Sequence, residues 1–78
     1  MYEKQEFTRN YLAPLLRRLN ENIYDVIYKV DKKTNEEYVI ISYRWDDEMG
    51  NYQGISKKIC VTADSLSAMT TDVLNKGV

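Results

Sequence analysis

The 78-residue chain contains no histidine and a single cysteine, Cys60. Without histidine it lacks the usual general base near neutral pH and the commonest zinc ligand. A Ser-His-Asp or Cys-His catalytic site is therefore excluded within one chain. A lone cysteine cannot form an internal disulfide, which favours a reducing compartment. We interpret Cys60 as a small hydrophobic residue of the core; the alternative is a reactive or intermolecular thiol on the second face of the sheet.

The sequence also has no long hydrophobic run and no basic-then-apolar start. A membrane-spanning helix needs about 20 apolar residues, and a secretory signal peptide needs a charged segment followed by an apolar one. We therefore predict a cytoplasmic protein that does not contact membranes. With 44% hydrophobic and 29% charged residues, the chain should form one small globular domain over residues 1–78.

Apolar residues recur at helical spacing near both ends of the chain. The first stripe consists of Phe7, Tyr11, Leu12, Leu15, Leu16 and Leu19. Pro14 lies within it and cannot donate a backbone hydrogen bond, so the helix is either kinked or begins near Pro14. We favour the long, kinked helix. The second helix should begin at Thr62 or Asp64, which can both cap it. It should end either in a left-handed conformation at Gly77 or by fraying.

Three segments between these stripes alternate apolar and polar residues, which is typical of half-buried strands. They run from Ile23 to Asp31, from Glu37 to Trp45 and from Tyr52 to Thr62. Short polar turns join them, and Asn35 is the best candidate for a positive φ in the first turn. The α-β-β-β-α order predicts an α+β domain in which both helices pack on one face of a three-stranded antiparallel meander.

Aromatic residues are frequent in these strands, and aromatic rings on an exposed sheet can stack on nucleic-acid bases. We interpret four of them as core residues instead, because they share a strand face with Val26, Val39 or Ile41. These four are Tyr24, Tyr28, Tyr43 and Trp45. On this interpretation they need no ligand.

The element order and the length resemble the double-stranded-RNA-binding domain. That family contacts RNA through a Gly-Pro-x-His loop between its first two strands and through a lysine-rich start of its second helix. Here the corresponding loop runs from Asp31 to Glu36, and the helix opens Thr62-Ala63-Asp64-Ser65 without lysine. We therefore carry no RNA-binding residue over from the family.

Charge also argues against nucleic acid as the main partner. Eleven Lys and Arg residues against twelve Asp and Glu residues give a net charge of −1, whereas nucleic-acid-binding domains usually have a basic excess. We interpret the lysine pairs as solvated surface. These pairs are Lys32-Lys33 and Lys57-Lys58.

An acidic turn, with Asp46, Asp47 and Glu48, precedes the third strand. Its spacing does not match an EF-hand, so we predict a solvated turn rather than a calcium site. We predict no metal, no cofactor and no catalytic residue. Together with Glu36 and Glu37, the turn could instead form an acidic rim that imitates a phosphate backbone.

By elimination, the sequence predicts a non-enzymatic protein-protein interaction module that acts through the open face of the sheet or an edge strand. The predicted interaction surface consists of Ile27, Tyr38, Ile40, Arg44 and Lys58. The expected partner is another protein or a second copy in a homodimer. The alternative is a regulator or inhibitor of nucleic-acid machinery, which would contact nucleic acid through the lysine pairs or imitate it through the acidic turn.

Overall fold

The computed structural model describes residues 2–78 and the side chains of residues 3–78. The elements are α1 (Tyr2–Phe7), a π-helical segment (Thr8–Leu12), α2 (Ala13–Leu19), β1 (Ile23–Val30), β2 (Glu37–Asp46), β3 (Tyr52–Cys60) and α3 (Leu66–Gly77). The three strands form one antiparallel sheet in the order β1-β2-β3. The predicted α+β architecture is confirmed, because the helices flank the meander in sequence and pack on one of its faces.

The N-terminal helix runs without interruption from Tyr2 to Leu19, and its irregularity is a π-helical segment. The Ala13 N–H donates to the Thr8 carbonyl oxygen, five residues earlier. This wider turn directly precedes Pro14, whose ring would otherwise meet the carbonyl of the preceding turn. The long helix is therefore confirmed, and the π-helical segment accommodates the proline.

The extra residue in the π turn also rotates the apolar stripe. Leu12 and Leu16 are buried, but Tyr11 is 66% exposed and Leu19 is 54% exposed. Thr8 is buried in their place, and its hydroxyl donates to the Lys4 carbonyl oxygen at 2.8 Å. Only part of the predicted stripe therefore reaches the core.

The core lies between the helices and the inner face of the sheet. Its buried hydrophobic residues are Leu12, Ala13, Leu16, Ile23, Val26, Val39, Ile41, Tyr43, Ile59, Val61, Met69 and Val73. The π-helical segment and α2 contact β1, while α3 contacts β3. The helices thus divide the inner face between them and leave the other face of the sheet bare.

The prediction of four core aromatics is wrong for two of them. Tyr43 is buried and Tyr28 packs against the core, but Tyr24 is 49% exposed and Trp45 is 37% exposed. A register shift between Ile23 and Asp25 turns Ile23 inward and Tyr24 outward. Trp45 lies beyond the last residue pair between β1 and β2.

The start of α3 also differs from the prediction. The cap is Ser65, whose Oγ accepts a hydrogen bond from the Ala68 N–H at 3.1 Å. Neither Thr62 nor Asp64 caps the helix, because Ala63 has a φ of +62° and the chain turns there before the helix begins. Asn35, by contrast, has the predicted positive φ, at 61°.

Gly77 ends α3 for a reason other than the predicted one. Gly77 does not have a positive φ. It is buried, and a Cβ at this position would overlap Cδ1 of Ile41. The missing side chain therefore allows the end of the helix to approach β2 closely.

A polar cluster around Glu37 joins the N-terminal helix to the sheet. Glu37 Oε1 accepts hydrogen bonds from Lys4 Nζ at 2.8 Å and from the Tyr28 hydroxyl, while Oε2 accepts from the Ala63 N–H at 3.1 Å. These bonds lower the pKa of Glu37 to about 2, and the bond from Lys4 is the largest cause. Burial is the main reason that the pKa of Tyr28 is raised, and the hydrogen bond to Glu37 raises it further. The cluster fixes α1, β1, β2 and the loop before α3 relative to one another.

Candidate interaction surface

The face of the sheet opposite the helices, here named the open face, carries all five residues of the predicted surface. Ile27, Ile40 and Lys58 lie side by side across the three strands, because Ile27 pairs with Ile40 and Ile40 pairs with Lys58. Tyr38 is two residues before Ile40, and Arg44 is four residues after it. Side chains at even spacing share a face of a strand, so the five residues form one surface.

An apolar spot lies in the middle of the open face. Ile27 is 45% exposed and its cross-strand neighbour Ile40 is partly buried. Ile40 lies in the central strand, with Ile27 beside it in β1 and Lys58 beside it in β3. Ser42 and Ser56 border it and share a hydrogen bond of 3.2 Å between their hydroxyl oxygens.

One end of the open face holds an arginine between two tyrosine rings. The Arg44 guanidinium lies 4.4 Å from the centroid of the Tyr24 ring and 5.5 Å from that of Tyr52. Such contacts hold a guanidinium over an aromatic face and leave its hydrogen-bond donors available. The outward turn of Tyr24 at the β1 irregularity makes this arrangement possible.

The other end of the open face contains a cleft of about 510 Å³, here named the lysine cleft. It is lined by Lys29, Lys32, Lys33 and Lys58, with Val30, Asp31, Tyr38 and Ile40. Among residues 3–78, no carboxylate oxygen lies within 4.0 Å of any of these four ammonium groups. The cleft therefore presents a local positive charge that the net charge of the chain conceals.

Tyr38 forms a fixed wall of the lysine cleft. Its hydroxyl donates to Glu36 Oε2, and Lys58 Nζ lies 4.2 Å from the centroid of its ring. The hydrogen bond to Glu36 is the main reason that the pKa of Tyr38 rises to about 12. The hydrogen bond to Glu36 and the contact with Lys58 together position the ring at the side of the cleft.

The two lysine pairs of the sequence, Lys32-Lys33 and Lys57-Lys58, do not lie on one surface. Lys32, Lys33 and Lys58 line the lysine cleft, but Lys57 lies on the helix side, with Nζ 5.4 Å from the centroid of the Tyr43 ring. Lys29 takes its place in the cleft. Strand alternation separates Lys57 from Lys58, and the same alternation, applied to β1, could have identified Lys29.

Cys60 belongs to the open face rather than to the core. It pairs with Tyr38, is exposed, and has its Sγ 3.3 Å from Thr62 Oγ1. The expectation of a core cysteine is therefore wrong. Its even position in β3, the same as that of Lys58, places it on the outer side of the sheet.

The acidic turn is organised by its own hydrogen bonds. Asp47 Oδ1 accepts from the N–H groups of Met49 at 2.9 Å and Asn51 at 2.8 Å, and Oδ2 accepts from Gln53 Nε2 at 3.2 Å. The backbone bond from Asn51 is the largest cause of the lowered pKa of Asp47. Within residues 2–78, no group of three or more potential ligands is arranged to hold a metal ion.

Comparison with known proteins adds no assignment to this geometry. No family model matches the chain, and neither a curated protein nor a solved structure is significantly similar to it. Among the described residues, no helix is long and apolar enough to cross a membrane.

Proposed function

We propose that the protein is a small non-enzymatic interaction module that binds another protein through the open face. The observation that carries this proposal is the exposed apolar spot of Ile27 and Ile40 beside the lysine cleft. Apolar side chains rimmed by polar groups are typical of protein contacts. Ile27 is 45% exposed, so a partner can reach it without rearranging the fold.

Charge complementarity defines the partner. Four unpaired lysines and one lining carboxylate, Asp31, make the cleft attractive to an acidic segment. The adjacent isoleucines favour an apolar side chain next to those acids. The partner is therefore an acidic protein segment that carries an aliphatic residue at the position facing Ile27.

A peptide titration tests this proposal. The probe is a glutamate-rich peptide with one central leucine. Its binding is monitored through the amide chemical shifts of the labelled protein. We expect shifts at Ile27, Ile40 and the lysine cleft, and their loss in Ile27→Asp. The matched control is Ile55→Asp, because Ile55 is 53% exposed on the helix side of the sheet.

The titration contradicts the proposal if the peptide leaves the open-face amides unchanged. It also contradicts the proposal if Ile27→Asp and Ile55→Asp weaken binding equally, since the effect would then not depend on the open face. Ile40→Asp should behave as Ile27→Asp does.

A specific observation favours the second candidate function, direct contact with nucleic acid. The rings of Tyr24 and Tyr52 flank Arg44 on the same face as the lysine cleft, and such a surface can hold a single strand. A labelled single-stranded oligonucleotide should bind at low salt, weaken steeply as salt rises, and lose affinity in Lys32→Ala/Lys33→Ala but not in Lys57→Ala. No binding at low salt removes this candidate.

Acidic mimicry of nucleic acid has less support. Both carboxylate oxygens of Asp47 accept hydrogen bonds within the turn. Only Asp46 and Glu48 of the acidic turn are therefore free to imitate phosphates.

We propose a cytoplasmic location, which the exposed and unpaired thiol of Cys60 supports, because a reducing compartment protects such a thiol. We also propose that a second copy of the chain is one partner, through the free edge of β3.

A further inference from the structure

β3 has a free edge along its whole length. In an antiparallel ladder, alternate residues direct both backbone groups toward the same neighbour. The Val61 N–H donates to the Glu37 carbonyl oxygen at 2.9 Å, so the odd residues of this segment face β2. The even residues from Tyr52 to Cys60 therefore direct their N–H and C=O groups away from the sheet.

The side chains that usually protect such an edge are turned away from it. Lysines on edge strands commonly prevent pairing with another chain. Here Lys58 lies over the ring of Tyr38 and Lys57 over the ring of Tyr43, and both rings belong to β2. The Ser56 hydroxyl also turns toward β2, where it shares a hydrogen bond with Ser42, and Gly54 has no side chain. The edge backbone is left uncovered.

The other edge of the sheet is protected. β1 contains the register shift between Ile23 and Asp25, and Arg17 Nη2 donates to the outward Tyr24 carbonyl oxygen at 3.0 Å. The π-helical segment and α2 also pack against this strand. β2 and β3, by contrast, pair over nine consecutive positions without a shift. Only the β3 edge is regular and open.

We infer that β3 pairs antiparallel with β3 of a second copy, to form a six-stranded sheet around a two-fold axis. The register that pairs the whole strand places Ser56 opposite Ser56, Gly54 opposite Lys58, and Tyr52 opposite Cys60. Even residues meet even residues, so the outward backbone groups bond to each other and the two open faces become continuous. This inference rests on that part of the proposed function in which the partner is a second copy.

Charge permits this register. β3 carries two lysines and no acidic residue, and the full-overlap register places neither lysine opposite a charged side chain. In the full-overlap register Lys58 faces Gly54 and Lys57 faces Ile55. Sliding the strands to centre on Lys57 or Lys58 would oppose like charges, which is destabilising.

Solution mass and a cysteine cross-link test the inference. The solution mass measured by light scattering should approach twice the mass of one chain as the concentration rises. In a Cys60→Ser background, Ser56→Cys should form a cross-linked dimer on mild oxidation, because facing residues of a hydrogen-bonded antiparallel pair have Cα atoms about 5.5 Å apart. The control Gln53→Cys should not cross-link, since its copy would lie about 20 Å away.

A charge variant locates the interface independently. Ser56→Lys places two lysines at the two-fold axis and should restore the mass of one chain, whereas Ser67→Lys, on the exposed surface of α3, should not. A monomer at every concentration overturns the inference. A dimer that survives Ser56→Lys, or that cross-links through Gln53→Cys instead of Ser56→Cys, also overturns it. Peptide binding to the open face is unaffected by these outcomes and separately decides the proposed function.

Discussion

Both faces of the sheet carry isoleucines, but the surroundings of these isoleucines differ. Ile41 on the inner face is fully buried, whereas Ile27 on the open face is 45% exposed. Both isoleucines lie in β-strands that alternate in the same way. The difference comes from the helices, which cover one face and leave the other open to a partner. An apolar residue in this sheet therefore stabilises the fold on one face and is available for recognition on the other.

The largest expected effect compares these two isoleucines directly. Ile41→Ala should lower the free energy of unfolding by about 2–5 kcal/mol, because it leaves a cavity in the core. Ile27→Ala should cost less than about 1 kcal/mol, since water already reaches the side chain. Urea denaturation measures both, and equal losses would contradict the assignment of the two faces.

The close approach of α3 to the inner face gives the next prediction. Gly77→Ala places a methyl group against Ile41 Cδ1 and should cost about 1–3 kcal/mol through overpacking. Asn75→Ala, at an exposed position of the same helix, should change stability by less than about 0.5 kcal/mol. A neutral or stabilising Gly77→Ala would show that the helix end does not pack as described.

Breaking the polar cluster should loosen the helix-covered side. Glu37→Gln keeps the shape but removes the charge facing Lys4, and should cost about 1–2 kcal/mol at neutral pH. The pKa of Glu37 is lowered from 4.5 to about 2, so its contribution is complete above about pH 4.5 and is lost as the pH falls toward 2.

Urea denaturation at several pH values measures this dependence. The stability difference between the wild type and Glu37→Gln should shrink between pH 4.5 and 2. A constant difference across that range would mean that the charge of Glu37 does not stabilise the fold.

The smallest effect is expected on the open face. Arg44→Ala removes the cation between the Tyr24 and Tyr52 rings and should cost about 0.5–1 kcal/mol. Arg18→Ala, at an exposed position of α2, provides the matched control and should be nearly neutral. A loss as large as that of Ile41→Ala would mean that the open face is needed for folding rather than left for binding.

Local patterns predicted the strands and the first turn well. The predicted strands began at Ile23, Glu37 and Tyr52, and each observed strand begins at the same residue. Alternation and turn chemistry depend on near neighbours, so a single sequence carries them. The five residues of the predicted surface share a face for the same reason. Whether that face binds a partner remains a proposal.

The errors occur where distant parts of the chain compete. Tyr24 turns outward because β1 shifts register against β2. Ser65 rather than Thr62 or Asp64 caps α3, because the Thr62 hydroxyl instead accepts the Glu37 N–H at 2.9 Å. None of these contacts is visible in the spacing of residues along the chain.

The sequence by itself determined the order of the elements, because local periodicity and turn chemistry suffice for it. Tertiary structure decided which side chains remain accessible. The helices cover one face, the lysines of β3 turn toward the tyrosines of β2, and Lys29, Lys32, Lys33 and Lys58 meet in one cleft. Such contacts join residues far apart in the chain, and their free energy depends on a geometry that exists only after the chain has folded.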